Sequence, residues 1–207
     1  MAAGRRVQKK TAYHHGDLRR ALINAALRVV ESQGAGAVTL REVARMVGVS
    51  HQAPYRHFAD RSALLAAVAE EGFRELHTQL VEASRGEPDV LDALRACGVT
   101  YVLFAVAHPA HFRVMHSAEA SSSNDPGLIA ASDAVFALIT RAVAEARTGQ
   151  ASEPATLAYA LAAWSIVHGL ASLLVEGALE RRPYANKSPR ELANTALDTL
   201  RGGFLPR

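Results

Sequence analysis

The sequence predicts an all-α fold, and three observations lead there. No stretch of the 207 residues alternates apolar and polar side chains with the period of two that a half-buried strand requires. Apolar residues recur every three or four positions instead, and glycines, prolines and Ser/Thr/Asp caps punctuate the runs. Hydrophobic residues make up 49% of the chain, enough to fill a core, which sets disorder aside. The expectation is about nine helices, arranged as a three-helix head and a larger helical body.

The first helix is expected over His15–Gln33, where Leu18, Leu22, Ala25 and Val29 share a face and Gly34 and Gly36 follow as stops. Thr39-Leu40-Arg41-Glu42 opens the second as a capping box, with Val38 and Val43 placed as a hydrophobic staple; Gly48 closes it. Ser50 is set to cap a third, short helix reaching about His57. Asp60 caps a fourth that runs to about Ala83. A fifth follows Arg85-Gly86-Glu87-Pro88 and ends near His108-Pro109, and a short segment spans His111 to His116. Ser121 to Asn124 reads as loop. Asp125-Pro126 restarts a helix reaching about Arg147, and Thr148 to Glu153 is the next loop. A long helix runs from Pro154 to about Glu180. The last opens on Ser188-Pro189-Arg190-Glu191, a cap, a first-turn proline and a capping-box Glu.

Composition narrows the setting. One cysteine, Cys97, leaves no intrachain disulfide framework and fits a reducing compartment. The basic opening MAAGRRVQKK leads into no apolar stretch, so no secretory signal is expected and the cytoplasm is the predicted location. Pro154 to Val175 contains no Asp, Glu, Lys or Arg and has the length of a membrane span. It is rich in alanine and carries Tyr159, Ser165, His168, Gly169 and Ser172, and no other segment matches it. A buried helix is therefore expected, with no membrane partner.

The net charge of +3 hides an asymmetry. Residues 1–61 hold 11 Lys/Arg against 4 Asp/Glu, and the remainder holds 12 against 16. A basic head on an acidic body points the head at a polyanion. Between Thr39 and Phe58, two short helices flank Val47-Gly48-Val49, where glycine takes a backbone angle other residues resist. Ala44, Val47, Val49 and Ala53 are small or β-branched and let the helices cross closely. This is the grammar of a helix-turn-helix, whose second helix lies in the major groove of DNA. On that helix His51, Gln52, Tyr55 and Arg56 are related by three- and four-residue steps and all donate hydrogen bonds to bases or phosphates. Pro54 forfeits an early helical hydrogen bond. Whether it sets the angle of entry into the groove or has no role stays open here.

Tyr13-His14-His15-Gly16-Asp17-Leu18, Val38-Thr39-Leu40-Arg41-Glu42-Val43-Ala44, Gly48-Val49-Ser50, Tyr55-Arg56-His57-Phe58 and Ala63-Leu64-Leu65, at their spacing, resemble the DNA-binding domain of TetR-family regulators over residues 13–70. The resemblance implies a repressor that binds a palindromic operator as a homodimer and leaves it when a small molecule binds. It implies phosphate contacts from Thr39, Tyr55 and His57, and base contacts from His51 and Gln52. Arg41, Ser50 and Arg56 complete the expected DNA-facing set, with Arg61 where the family commonly has lysine. Ala63 departs from the acidic residue often found there. Thr39 and Ser50 serve equally as helix caps, Tyr55 as half-buried core, and Phe58 reads as core. Arg5, Arg6, Lys9 and Lys10 form either a minor-groove arm or a solvated tail. The expected division is a basic arm at 1–12, the DNA-binding domain at 13–60 and a ligand-binding and dimerisation domain at 61–207.

In the body, Ala158, Ala162, Ser165, Gly169 and Ser172 form a small-residue stripe beside a larger one of Leu157, Leu161, Trp164, His168, Ala171 and Val175. The small stripe suits close packing on a helix of the same chain or of a partner. The family resemblance implies a dimer built from helices at about 154–180 and 189–201. Trp164 and His168-Gly169 also resemble a Trp-His-Gly signature found in some family C-terminal domains, and they either line a cavity or stay in the core. Tyr101, Phe104, His108 and Phe112 join Met115, His116 and Phe136 as further candidates for a largely apolar effector pocket. His108, His111 and His116 raise the alternative of a metal-responsive regulator. An architectural DNA-binding protein without effector is a third reading. No phosphate loop, nucleophile elbow or zinc-hydrolase motif is present, so neither an enzyme nor a cofactor is expected.

Overall fold

The computed structural model describes residues 15–146 and 152–203, and within them the chain is all-helical: nine α-helices and two 3₁₀ turns. The basic arm 1–12, Tyr13-His14 of the motif and the loop at 147–151 lie outside the described residues. The helices are α1 (His15–Gln33), α2 (Leu40–Val47), α3 (Arg61–Ser84), α4 (Val90–Ala107), α5 (Pro109–Met115), α6 (Ala118–Ser121), α7 (Pro126–Ala146), α8 (Glu153–Val175) and α9 (Pro189–Gly203).

The caps act much as their residue types require. Thr39 accepts from the Glu42 amide at 3.1 Å, but the Glu42 carboxylate pairs with Arg45 at 2.6 Å, so only half of the capping box forms. Val38 and Val43 are fully buried, as a staple should be. Gly48 closes α2 at φ 77°, where the Val49 amide reaches the Ala44 carbonyl and the Gly48 amide that of Arg45. Asp60 caps α3 through the Ala63 amide at 2.8 Å, and Asp125 caps α7 through the Leu128 amide. Ser188 and Glu191 complete a reciprocal box at α9.

Three expectations need correction. The third helix does not run from Ser50 to His57: the segment holds only the 3₁₀ turn Pro54–Arg56, which starts from Ala53 without a side-chain cap. Pro54 has no amide to close a turn on the Ser50 carbonyl, so the chain winds instead through the tighter Ala53-to-Ser50 and His57-to-Pro54 bonds. The long helix ends at Val175 rather than about Glu180. Gly177 takes φ 70°, and the Ala178 and Gly177 amides turn back to the Leu173 and Leu174 carbonyls in a Schellman stop. Finally, α8 does not stand apart in its apolarity. α4, α7 and α8 are each long and apolar enough to cross a membrane. They pack on one another, and α4 carries Arg95, which pairs with Asp198 of α9.

One buried cluster runs from Leu22 and Val29 in α1 through α3 and α4 to Leu197 in α9, so head and body share a continuous core. α3 is its spine, packing on α1 at the head end and on α4, α5, α6 and α7 in the body. Gly72 marks its closest approach: a Cβ there would lie 2.6 Å from Met115 Sδ and 3.3 Å from His111 Cβ. α8 is the outlier. Among its residues Ala160, Val167 and Ala171 are buried, whereas Leu157, Leu161 and Leu173 are 46%, 54% and 44% exposed.

Candidate DNA interface and effector cavity

α2 stands on α1 through Leu40, Val43 and Ala44, which are buried and fix its orientation. Its opening residues Thr39 and Arg41 are exposed. Beyond the Gly48 turn, Ser50, His51, Gln52, Tyr55 and Arg56 are exposed as well, with Tyr55 at 56%. Tyr55 is therefore not core. The same segment is anchored from below by Pro54 and Phe58, both buried, and Arg19 lies 5.4 Å over the Phe58 ring. Buried anchors alternating with exposed polar residues hold the polar side chains of this 3₁₀ segment on one outward surface. His57 is half-buried beside Phe58.

Arg61 is placed differently from the other candidates. Its Nε donates to the Val38 carbonyl, Nη2 to the Ala35 carbonyl and Nη1 to Glu119 of α6, each at 2.9 Å. All three guanidinium nitrogens are thus engaged, two with the loop before α2 and one with the body. Arg61 ties head to body, and that tie draws the Glu119 carboxyl below its ordinary range. Nothing in a single sequence marks the role, because Glu119 lies 58 residues away.

In the body, Tyr101, Met115, His116, Phe136 and Trp164 converge on one cavity of about 350 Å³, joined by Phe73, Ser132 and Asp133. Tyr101 is its polar hub. Its hydroxyl lies 3.2 Å from His116 Nε2 and 2.9 Å from His168 Nδ1, and Trp164 Nε1 donates to it at 3.4 Å. A phenol has one proton to give, so it donates to one imidazole and accepts from the other. Because His116 faces the hydroxyl through Nε2 and His168 through Nδ1, the two neutral rings then carry their protons on the same nitrogen, both on Nδ1 or both on Nε2. Burial pushes the Tyr101 hydroxyl up to about 12 and drives His116 down to about 4, with the neighbouring His168 adding to the latter effect. The cluster is uncharged at neutral pH. Behind Tyr101, Ile139 and Trp164 lies a second, apolar void of about 50 Å³ that reaches Gly98, Val167 and Leu197.

Not every candidate reaches this cavity. Phe112 is buried core, with its ring centroid 5.4 Å from that of His168 and 6.2 Å from that of Tyr101. His168 acts through Tyr101 rather than on the wall. Phe104 and His108 face a separate groove with His111, between α3, α4 and α5. His108 and His111 have ring centroids 6.1 Å apart, and among the described residues no three His, Cys, Asp or Glu gather into a group able to hold a metal. Sequence reasoning missed Phe73, Ser132 and Asp133, which lie on α3 and α7 and carry no motif.

A basic helical head bearing an exposed polar segment, on a helical body with a cavity open at its rim, fits the class of DNA-binding regulators. Comparison with known proteins gives the family. The family model for the tetracyclin repressor-like C-terminal domain matches residues 94–200, and that for bacterial regulatory proteins of the tetR family matches residues 22–68. The chain belongs to the TetR family. It is 39% identical over 67 residues to the HTH-type transcriptional regulator BetI of Rhizobium meliloti (strain 1021), a match covering 32% of this chain and 33% of that one. It is 30% identical over 83 residues to the HTH-type transcriptional regulator AcrR of Shigella flexneri, covering 39% of each. The alignments thus span little more than a third of these relatives. A protein of unknown function from Rhodococcus sp. RHA1 shares the fold with a TM-score of 0.78 and 33% identity, over 95% of this chain and all of that one.

Proposed function

We propose that the protein is a sequence-specific transcriptional regulator, a repressor that binds a palindromic operator as a cytoplasmic homodimer and is released by a small-molecule ligand. The observation that carries this reading is the exposed row Ser50, His51, Gln52, Tyr55 and Arg56, seated on buried Pro54 and Phe58 beneath it. Such a row presents hydrogen-bond donors to the major groove from a backbone fixed by its buried anchors. Thr39 and Tyr55 hold phosphates, with Arg41, Arg56 and half-buried His57 beside them, and His51 and Gln52 read bases. Functionally the chain divides at residues 13–60 and 61–207, despite the shared core.

Release works through contacts near α6. Ala120 and Ser121 of this helix line the cavity, and Glu119 next to them holds Arg61 at the head. A ligand that displaces α6 shifts Arg61 and with it the Ala35–Val38 loop on which α2 begins. Two heads re-spaced in this way no longer fit two half-sites, which is a coupling of the two binding free energies. The deciding experiment is operator binding by the full-length protein, using fragments flanking its own gene with excess nonspecific competitor. Saturable binding to one short palindrome is expected. Binding that competitor abolishes on every fragment tested overturns the reading in favour of an architectural protein.

A further inference from the structure

We propose that the cavity is built for a cationic amphiphile, with its positive head at Asp133 and its apolar part lying between Phe73, Ile139 and Trp164. The inference rests on reading this cavity as the effector site, and it adds the charge class of the effector. Four aromatic side chains, Phe73, Tyr101, Phe136 and Trp164, contribute to the wall, and the π-faces of such rings attract a cation. No Lys or Arg is among the described residues lining it. Among those residues the formal charge is the Asp133 carboxylate, exposed at the rim on α7 one turn from Ile129 and Phe136. Asp133 pairs with no cation among the described residues.

An anionic ligand finds no counter-charge among the described lining residues. His116, the one of them able to become positive, is held neutral by burial and by His168 until the pH falls to about 4. The α7 N-terminus, which otherwise favours anions, is already capped by Asp125. The charges of residues 62–207, 12 Lys/Arg against 16 Asp/Glu, repel an approaching anion and draw in a cation. The volume of about 350 Å³ suits a single small molecule rather than a bulky conjugate.

Trp164 is the only tryptophan of the chain and lines the cavity, so its emission reports occupancy directly. The test titrates three probes of equal chain length, n-octylammonium, octan-1-ol and octanoate, into the full-length protein and into Asp133→Asn. The expected result is saturable change in Trp164 emission, with n-octylammonium bound about tenfold more tightly than octanoate and octanol between them. In Asp133→Asn, an exposed substitution that leaves the core intact, the three affinities should draw together. Octanoate binding as tightly as n-octylammonium, or a ranking unchanged by Asp133→Asn, overturns the charge assignment and leaves the effector site standing. No saturable response to any probe overturns both.

Discussion

At the scale of single residues, Arg61 and His116 show how a side chain acquires a role from its surroundings. Arg61 is a charged residue at the start of a helix, and its chemistry alone suits phosphate binding. Three bonds to Val38, Ala35 and Glu119 turn it into a joint. Arg61→Gln should lower stability by about 1–2 kcal/mol, because two loop carbonyls lose a charged donor. Glu119→Gln, at a partly exposed pair, should cost about 1 kcal/mol or less. A double-mutant cycle on urea midpoints checks that the two are coupled. His116 carries a pH dependence whose sign follows from burial. Its folded value of about 4 lies below the ordinary 6.5, so the unfolded chain binds the extra proton first. Stability is full above about pH 6.5 and falls as the pH drops from there towards 4, with His168 and His111, also lowered by burial, acting in the same direction. Thermal melts across that window should show the slope, and His116→Gln should flatten part of it.

At the scale of elements, short segments are governed by single backbone positions. Gly48 ends α2 at a positive φ, and a Cβ placed on it would have nothing within 4 Å, so Gly48→Ala meets only backbone strain. A loss of about 1–2 kcal/mol is expected from the left-handed angle alone, read from the urea midpoint. Gly72→Ala differs in kind: its cost is steric, since a Cβ meets Met115 and His111 where α3 and α5 touch. Pro54 acts by subtraction, and the missing amide is why the segment proposed to read bases is a 3₁₀ turn between loops. The capping residues Thr39, Asp60, Ser188 and Glu191 are legible in the sequence itself, because their bonds span only three residues. The end of α8 is less so. Gly177 lies inside an otherwise continuous helical pattern, and only its left-handed angle shows that the chain turns there.

At the scale of the whole molecule, α8 presents apolar surface that the single chain does not cover. Leu157, Leu161 and Leu173 stand exposed, and the small residues Ala158, Ser165 and Gly169 face outward beside them. A groove lined by Ile166, Leu170, Leu173 and Tyr184 continues this surface towards Leu192 of α9. The proposed homodimer covers it. Light scattering after size exclusion should give twice the chain mass, and Leu161→Glu with Leu173→Glu should give a monomer that binds a palindrome much more weakly. A monomeric wild type at micromolar concentration would count against the dimer.

The all-α class and most helix starts were determined by the sequence itself, through contacts between neighbours in the chain. A cap reaches three residues and an amphipathic face repeats every three or four, whereas the burial of Pro54 beneath an exposed Tyr55 on a 3₁₀ turn was decided by the packing of the head. The cavity and the head-to-body joint were decided by tertiary structure. Tyr101 meets His168 across 67 positions and Arg61 meets Glu119 across 58. The aromatic candidates were visible as residues, yet their division between one cavity, the core behind it and a separate groove depends on how α3, α4, α5, α7 and α8 pack. Asp133, on which the proposed charge preference turns, is an ordinary surface acid until α7 is laid against α3.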